Sequence, residues 1–316
     1  MAGVPAATAM QPDRARPLVM LVGAPEGSEF DWTARVFAGF LGPRLGAPEP
    51  GGVAIDVRNM PGDGGHAMLA ALGDATPSGA TIGWVVTPTL LARAIDRNDP
   101  GLSRRLTIVG QVQREPIAFV SPASDPLDSV QDIIRRAGED TDAVPLGTPP
   151  PGSPPHLAAL RLQELAKIRL NIITFPSNAA ARQAVLAGNV SAAALGLSSV
   201  IDAVRDGDLT AIGIAAKRRF GLLPETPVLD EAGIPLSAFI RRGLAVPVGT
   251  PGDVVAMLAD AVRAVAREET FRRQAEAAGI YAAWADGPGW RAQMELEQAA
   301  LARLWQTEPW RSSSSG

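Results

Sequence analysis

Gly147-Thr-Pro-Pro-Pro-Gly-Ser-Pro-Pro-His156 joins two kinds of sequence. The run Val144 to Gly147 before it has strand character, and Pro154 to Leu165 after it carries apolar residues at helical spacing. Ser153 is a favoured N-cap, because its hydroxyl can accept from a backbone N–H of the first turn. Pro154 suits the first helical position, where a missing N–H costs nothing. The stretch therefore reads as strand, glycine turn, helix. Free N–H groups and the positive end of the helix dipole then face whatever lies beyond the strand. Thr148 and Ser153 add hydroxyls, so the turn can cradle a carboxylate or a similar anion. A plain helix cap would carry the same local sequence.

The same unit recurs towards the amino end. Leu18 to Val22 is a strand, and Ala24-Pro-Glu-Gly-Ser-Glu-Phe-Asp31 leads from it into a helix over Asp31–Leu45. Val53 to Val57 is a second strand, and Asn59-Met-Pro-Gly-Asp-Gly-Gly65 leads from it into a helix over Ala67–Leu72. Thr81 to Val86 is a third strand. Further strands are expected at Leu170–Phe175, Val190–Leu195 and Leu209–Ala215, with helices at Val130–Ala137, Ala179–Ala187 and Val200–Arg205. The closing part, from Asp253 to Trp305, reads as mostly helical. Alternation of this kind specifies parallel sheets with crossover helices. In an open α/β sheet, ligands bind beyond the carboxyl ends of the strands. Three glycine turns at matching positions therefore predict one ligand cleft.

At 316 residues the chain is long enough for two domains. Two sheet-building stretches predict an α/β fold of two lobes, with the last helices packing back on the first lobe. The expected division is a disordered leader at 1–17, a first lobe of 18–120 plus 245–311, a second lobe of 121–244 and a flexible tail at 312–316. The connections are expected near Ile117–Pro122 and Phe239–Leu244.

The apolar fraction is 46% and the formal net charge is −4, which gives no electrostatic reason to expect nucleic acid as a partner. There is no cysteine, so thiolate chemistry and disulfides are excluded. The two histidines, His66 and His156, lack metal-ligand spacing, and neither a metal nor a cofactor is expected. No run reaches the roughly 18 to 20 apolar residues that a membrane-spanning helix needs. The turns match neither GxGxxG with its ribose-binding acid nor the P-loop pattern. No GxSxG elbow is present. Glu26, Asp63 and His66 are the residues an isomerase or lyase could use in such a cleft. No nucleophile–base pair is apparent, so the expectation is a binding protein and not an enzyme.

In their order, these segments resemble the substrate-binding receptors of tripartite tricarboxylate transporters, the Bug family of extracytoplasmic solute receptors. The resemblance rests on Gly27 to Asp31 with Ala34-Arg35, on Asn59 to Gly65, and on Ser78-Gly-Ala-Thr81. It continues through Gly147 to Leu157, Phe175-Pro-Ser-Asn178, Leu223-Pro-Glu-Thr-Pro-Val-Leu-Asp-Glu-Ala-Gly233 and Val246-Pro-Val-Gly-Thr-Pro251. It spans about Leu18 to about Leu304, nearly the whole chain. It implies a two-lobed periplasmic-binding-protein fold, type II-like, with a double crossover. It also implies a small polar solute, usually a carboxylate, held between the lobes and delivered to membrane transporter subunits or a sensor. The implied location is periplasmic and the implied state a monomer, with an orphan ligand-sensing domain as the other reading of the same fold. Carried over residue by residue, the ligand-binding candidates are Gly27, Ser28, Gly64, Gly65, Thr148, Gly152 and Ser153. Asn59, His66 and Thr87 join them from the same strand ends.

The chain departs from the family at its first turn. Glu26, Glu29 and Phe30 stand where the family has small or hydroxyl residues, and acids there would repel an anion. Arg241 and Arg242 stand where the family often has aromatic residues. They offer a bidentate carboxylate clamp.

Overall fold

The protein is described here by a computed structural model covering residues 18–45 and 52–311. The expected leader and tail lie outside the described residues. The first repeats are β1 (Leu18–Val22), α1 (Glu29–Leu41), β2 (Ile55–Asn59), α2 (His66–Asp74), β3 (Thr81–Thr87) and α3 (Thr89–Asp96). β1 runs parallel to both β2 and β3. Helix α1 begins at Glu29 because Ser28 caps it, its Oγ accepting from Asp31 N at 3.3 Å. It stops at Leu41, short of the expected Leu45, where Gly42-Pro-Arg44 tightens into a 3₁₀ turn.

A strand of 17 residues, β4 (Leu106–Pro122), comes next. Then follow α4 (Val130–Glu139), β5 (Leu146–Thr148), α5 (Pro154–Ala166), β6 (Ile172–Thr174), α6 (Asn178–Leu186), β7 (Ala192–Gly196), α7 (Ile201–Arg205) and β8 (Leu209–Ile214). The chain closes with β9 (Phe239–Pro247), α8 (Gly252–Arg267), α9 (Glu269–Ala277), β10 (Tyr281–Asp286) and α10 (Gly287–Thr307).

The strand order is β2-β1-β3-β9-β4-β7-β5-β6, with β8 and β10 also paired to β4. β4 belongs to two sheets. Up to Pro116 it pairs with β9, and from Ile117 it pairs with β7 and β8. The chain therefore passes from the first sheet to the second inside β4. It returns between Ala238, which donates to Ala215 O, and Phe239, which pairs with Pro116. Phe239–Leu244 was expected in the second lobe, but it forms a strand of the first sheet. The closing part, expected to be mostly helical, also contains a strand, β10.

Each sheet is covered on both faces. On one side of the first sheet Phe37 of α1 stacks on Trp84 at 4.8 Å, and Phe271 of α9 meets Phe37 edge-on at 6.2 Å. On the other side α2, α3 and α10 bury Leu72, Leu91, Trp290 and Leu304. Leu157 and Leu160 of α5 join that second cluster, so apolar contact links the lobes beside the cleft. In the second lobe α4 and α5 cover one face, while α6 and α7 cover the other. Strands buried on both faces need apolar residues at successive positions. This is why β1 and β7 read as continuous apolar runs.

Candidate functional site

A cavity of about 240 Å³ lies where the ends of the two sheets face each other. Gly64 and Gly65 come to it from the second turn, and Pro150, Pro151, Gly152 and Ser153 from the third. Phe30, the second residue of α1, represents the first turn. Val86, Thr89, Leu90 and Arg93 complete one wall. The second and third turns thus converge as expected. The first contributes a helical ring in place of its glycine and serine.

Arg93 is the charged group of this cavity. Its guanidinium reaches between the turns of the two lobes: a Cβ on Gly64 would stand 2.8 Å from Nη1, and one on Gly152 would overlap Nη2. Both glycines have positive φ, +63° and +75°, so these positions favour glycine on two grounds. Nη2 donates to Pro151 O at 3.0 Å and pairs with Asp96 at 2.8 Å, while Nε has no partner among the described residues. Burial first, and then the nearby Arg97 and Arg311, pull Arg93 below the usual arginine value, against the opposing pull of Asp96. Asp96 is held in place from the carboxyl end of the chain, accepting from Trp310 Nε1 at 3.0 Å.

Ser153 caps α5 as expected, accepting from His156 N at 3.4 Å. His156 is buried behind the turn, and its Nδ1 accepts from Gly152 N at 3.5 Å. Burial, reinforced by Arg93, lowers its pKa to about 4, so the ring is neutral near pH 7.

A second polar cluster spans the lobes at the edge of this cavity. Phe30 and Val86 line the cavity. Glu29 precedes the first in sequence, and Arg242 pairs with the second across β3 and β9. Glu29 leaves the first lobe and meets donors of the second. Its Oε1 accepts from Ser198 Oγ at 3.0 Å and from Arg242 Nη2 at 2.6 Å. Its Oε2 accepts from Asn178 Nδ2 at 3.0 Å and from Ser199 Oγ at 2.8 Å. The same Nη2 donates to Glu115 at 2.6 Å, and Glu115 also accepts from Ser198 N at 3.0 Å. Burial alone would raise Glu29, but Arg242 and the three side-chain donors hold it below the usual carboxylate range. Glu115 is fully buried, and burial together with the neighbouring Glu29 raises it, against Arg242. One cation thus serves one ionised carboxylate and one that takes up a proton more readily.

The remaining candidates lie outside the cavity. Gly27 N donates to Asp31, and Ser28 Oγ is used as the cap and donates to Pro25 O. Asn59 is held within the first turn by Ala24 O, Asp31 and Arg35. His66 pairs with Asp99 at 3.4 Å. Thr87 is buried and accepts from Trp290 Nε1 at 3.3 Å, and the buried Thr148 hydroxyl donates to Pro149 O at 3.1 Å. The two-arginine clamp does not form. Successive residues of a strand point to opposite faces, so Arg242 turns to Glu29 while Arg241 pairs with Glu297 at 3.6 Å. Nor do Glu26, Asp63 and His66 assemble as an acid–base group. Glu26 pairs with Arg35 at 3.4 Å, Asp63 pairs with Arg97 at 2.9 Å, and none of the three lines the cavity.

Sequence reasoning missed Arg93, Asn178, Ser198 and Ser199 as cleft residues. For Arg93 a signal existed: a short helix after Pro88 that places Arg93 and Asp96 one turn apart. For the three donors to Glu29 there was none, since they lie 149 to 170 residues from it in sequence.

Among the described residues no helix is long and apolar enough to cross a membrane. A UPF0065 protein of Bordetella bronchiseptica is 28% identical over 257 residues, covering 81% of this chain and 74% of that one. The structure of MatC from Rhodopseudomonas palustris with bound malate superposes with a TM-score of 0.76 at 23% identity, covering 91% of this chain and 98% of that one. The periplasmic binding protein BugD superposes with a TM-score of 0.77 at 22% identity, covering 92% of this chain and 97% of that one. Both structures share the two-lobed α/β fold. Residues 43–295 match the family described as "Tripartite tricarboxylate transporter family receptor". The chain belongs to that family and is a solute-binding receptor, not an enzyme.

Proposed function

We propose that the receptor captures a small carboxylate in the 240 Å³ cavity between its lobes and presents it to a membrane transporter on the periplasmic side. The observation that carries this is Arg93, a buried cation with an unpartnered Nε, set between glycine turns of both lobes. A guanidinium donates to a carboxylate in a planar, directional way. The start of α5 supplies the positive end of its dipole on the facing wall, although Pro154 and Pro155 have no N–H and His156 N donates to Ser153 Oγ. The malate in MatC is in keeping with this chemistry. In our reading the binding residues are Arg93, Gly64, Gly65, Gly152 and Ser153. The cavity is smaller than the roughly 300 to 1,000 Å³ of drug-sized sites, which fits a short metabolite.

We further assign the lobe boundaries to Pro116–Ile117 and Ala238–Phe239, with the protein working as a monomer. Native mass spectrometry of the purified protein, followed by titration with short mono- and dicarboxylates, tests the reading. A bound small acid, or saturable binding of one, is expected. Binding confined to cationic or uncharged solutes would overturn it.

A further inference from the structure

The Glu29 carboxylate is surrounded as a bound ligand's carboxylate would be. Each of its oxygens accepts two hydrogen bonds, so all four acceptor positions are filled. Three of the four donors, Asn178, Ser198 and Ser199, come from the opposite lobe. The fourth is Arg242, whose side chain is only 3% exposed. Its Nε and Nη1 have no partner among the described residues, so the guanidinium has donor capacity beyond what Glu29 and Glu115 take up. The Glu29 side chain remains 25% exposed.

We propose that Asn178, Ser198, Ser199 and Arg242 form an anion subsite at the edge of the solute cavity, that Glu29 fills it as a tethered carboxylate, and that this limits the receptor to solutes with one carboxylate. The proposal rests on the carboxylate-receptor reading. Arg93 serves the solute's single carboxylate. The end of the solute near Phe30 and Glu29 must then be uncharged, because a second carboxylate would find its donors occupied and a like charge beside them. An ammonium there is disfavoured too, since Glu29 has no acceptor position left. The class is therefore short monocarboxylates with an apolar or hydroxylated remainder.

The test uses Glu29→Ala in the full chain, with acetate as the probe of the vacated subsite. Thermal melts at fixed ionic strength, with chloride in the control arm, should show acetate stabilising Glu29→Ala more than the wild type, in which acetate has only the Arg93 site. Adding Ser198→Ala and Ser199→Ala to Glu29→Ala should abolish the excess over the wild type. In calorimetric titrations, Glu29→Ala should improve the affinity for short dicarboxylates relative to length-matched monocarboxylates by about tenfold or more, since like-charge opposition is removed. Glu29→Gln keeps the side-chain volume and should move the same ratio less, in the same direction; it carries the comparison if Glu29→Ala fails to fold. Acetate acting alike on wild type and Glu29→Ala, or an unchanged dicarboxylate-to-monocarboxylate ratio, would overturn the proposal. If the wild type binds no carboxylate at all, the receptor reading fails, while the acetate melts still decide whether Glu29 fills an anion subsite.

Discussion

Replacing Arg242 by Met removes the one cation between Glu29 and Glu115. Both carboxylates lie 2.6 Å from the same Nη2, and Arg242 and Glu115 are almost wholly buried. The variant leaves the buried Glu115 and the part-buried Glu29 facing each other with hydrogen bonds but no counter-charge. Breaking a buried ion pair from one side costs about 3–5 kcal/mol. With about 2.1 cal/mol/K of unfolding entropy per residue, the 316-residue chain loses about 1 °C for each ~0.7 kcal/mol. The expected fall in Tm near pH 8 is therefore about 5–8 °C if the chain unfolds as one unit. The deficit should shrink as pH is lowered, because a protonated Glu115 no longer opposes Glu29 and its pKa already lies above the ordinary value. The double variant Arg242→Met, Glu115→Met should recover most of the loss, since it removes a charge with its partner. Scanning calorimetry across pH reads all three effects. A single variant within a degree of wild type, or a deficit that does not vary with pH, would refute the electrostatic account of this cluster.

Two further outcomes follow from the third turn. His156 has a native pKa of about 4, below its unfolded value of about 6.5, so its contribution to stability is complete above that value and is lost as pH falls from 6.5 towards 4. Its ring resonances should therefore stay those of a neutral imidazole at about pH 5.5, and a midpoint near 6.5 would contradict the buried placement beside Arg93. Ser153→Ala removes the cap of α5 and should cost about 1 kcal/mol in chemical denaturation, and a neutral effect would show that the 3.4 Å contact with His156 N contributes nothing.

The local chemistry of the fold was legible in the sequence. Ser28 and Ser153 cap helices, glycines with positive φ form the turns, and the apolar runs of β1, β3 and β7 are buried strands. β4 was not legible, because Gln111, Gln113 and Glu115 occupy buried positions and give the strand the composition of a surface segment. β9 hid for the same reason, with Arg241 and Arg242 in its first half. Both strands carry charge because they hold the polar cluster between the lobes. Glu29 could be flagged from sequence as an acid where an anion was expected. Its resolution depends on donors brought together only by the two crossings between sheets, which no local pattern encodes. The expected role of Arg241 failed on strand alternation, a rule that applies only once the segment is known to be a strand.

The central claim is that Arg93 receives the carboxylate of a small solute between the lobes. Isothermal titration of wild type, Arg93→Lys and Arg93→Met with the acid that co-purifies tests it directly. Removing one partner of a buried charge contact costs about 2–5 kcal/mol, so Arg93→Met should weaken binding by about 30-fold or more, while Arg93→Lys, which keeps the charge without the planar fork, should fall between. Wild-type affinity in a folded Arg93→Met protein would contradict the account.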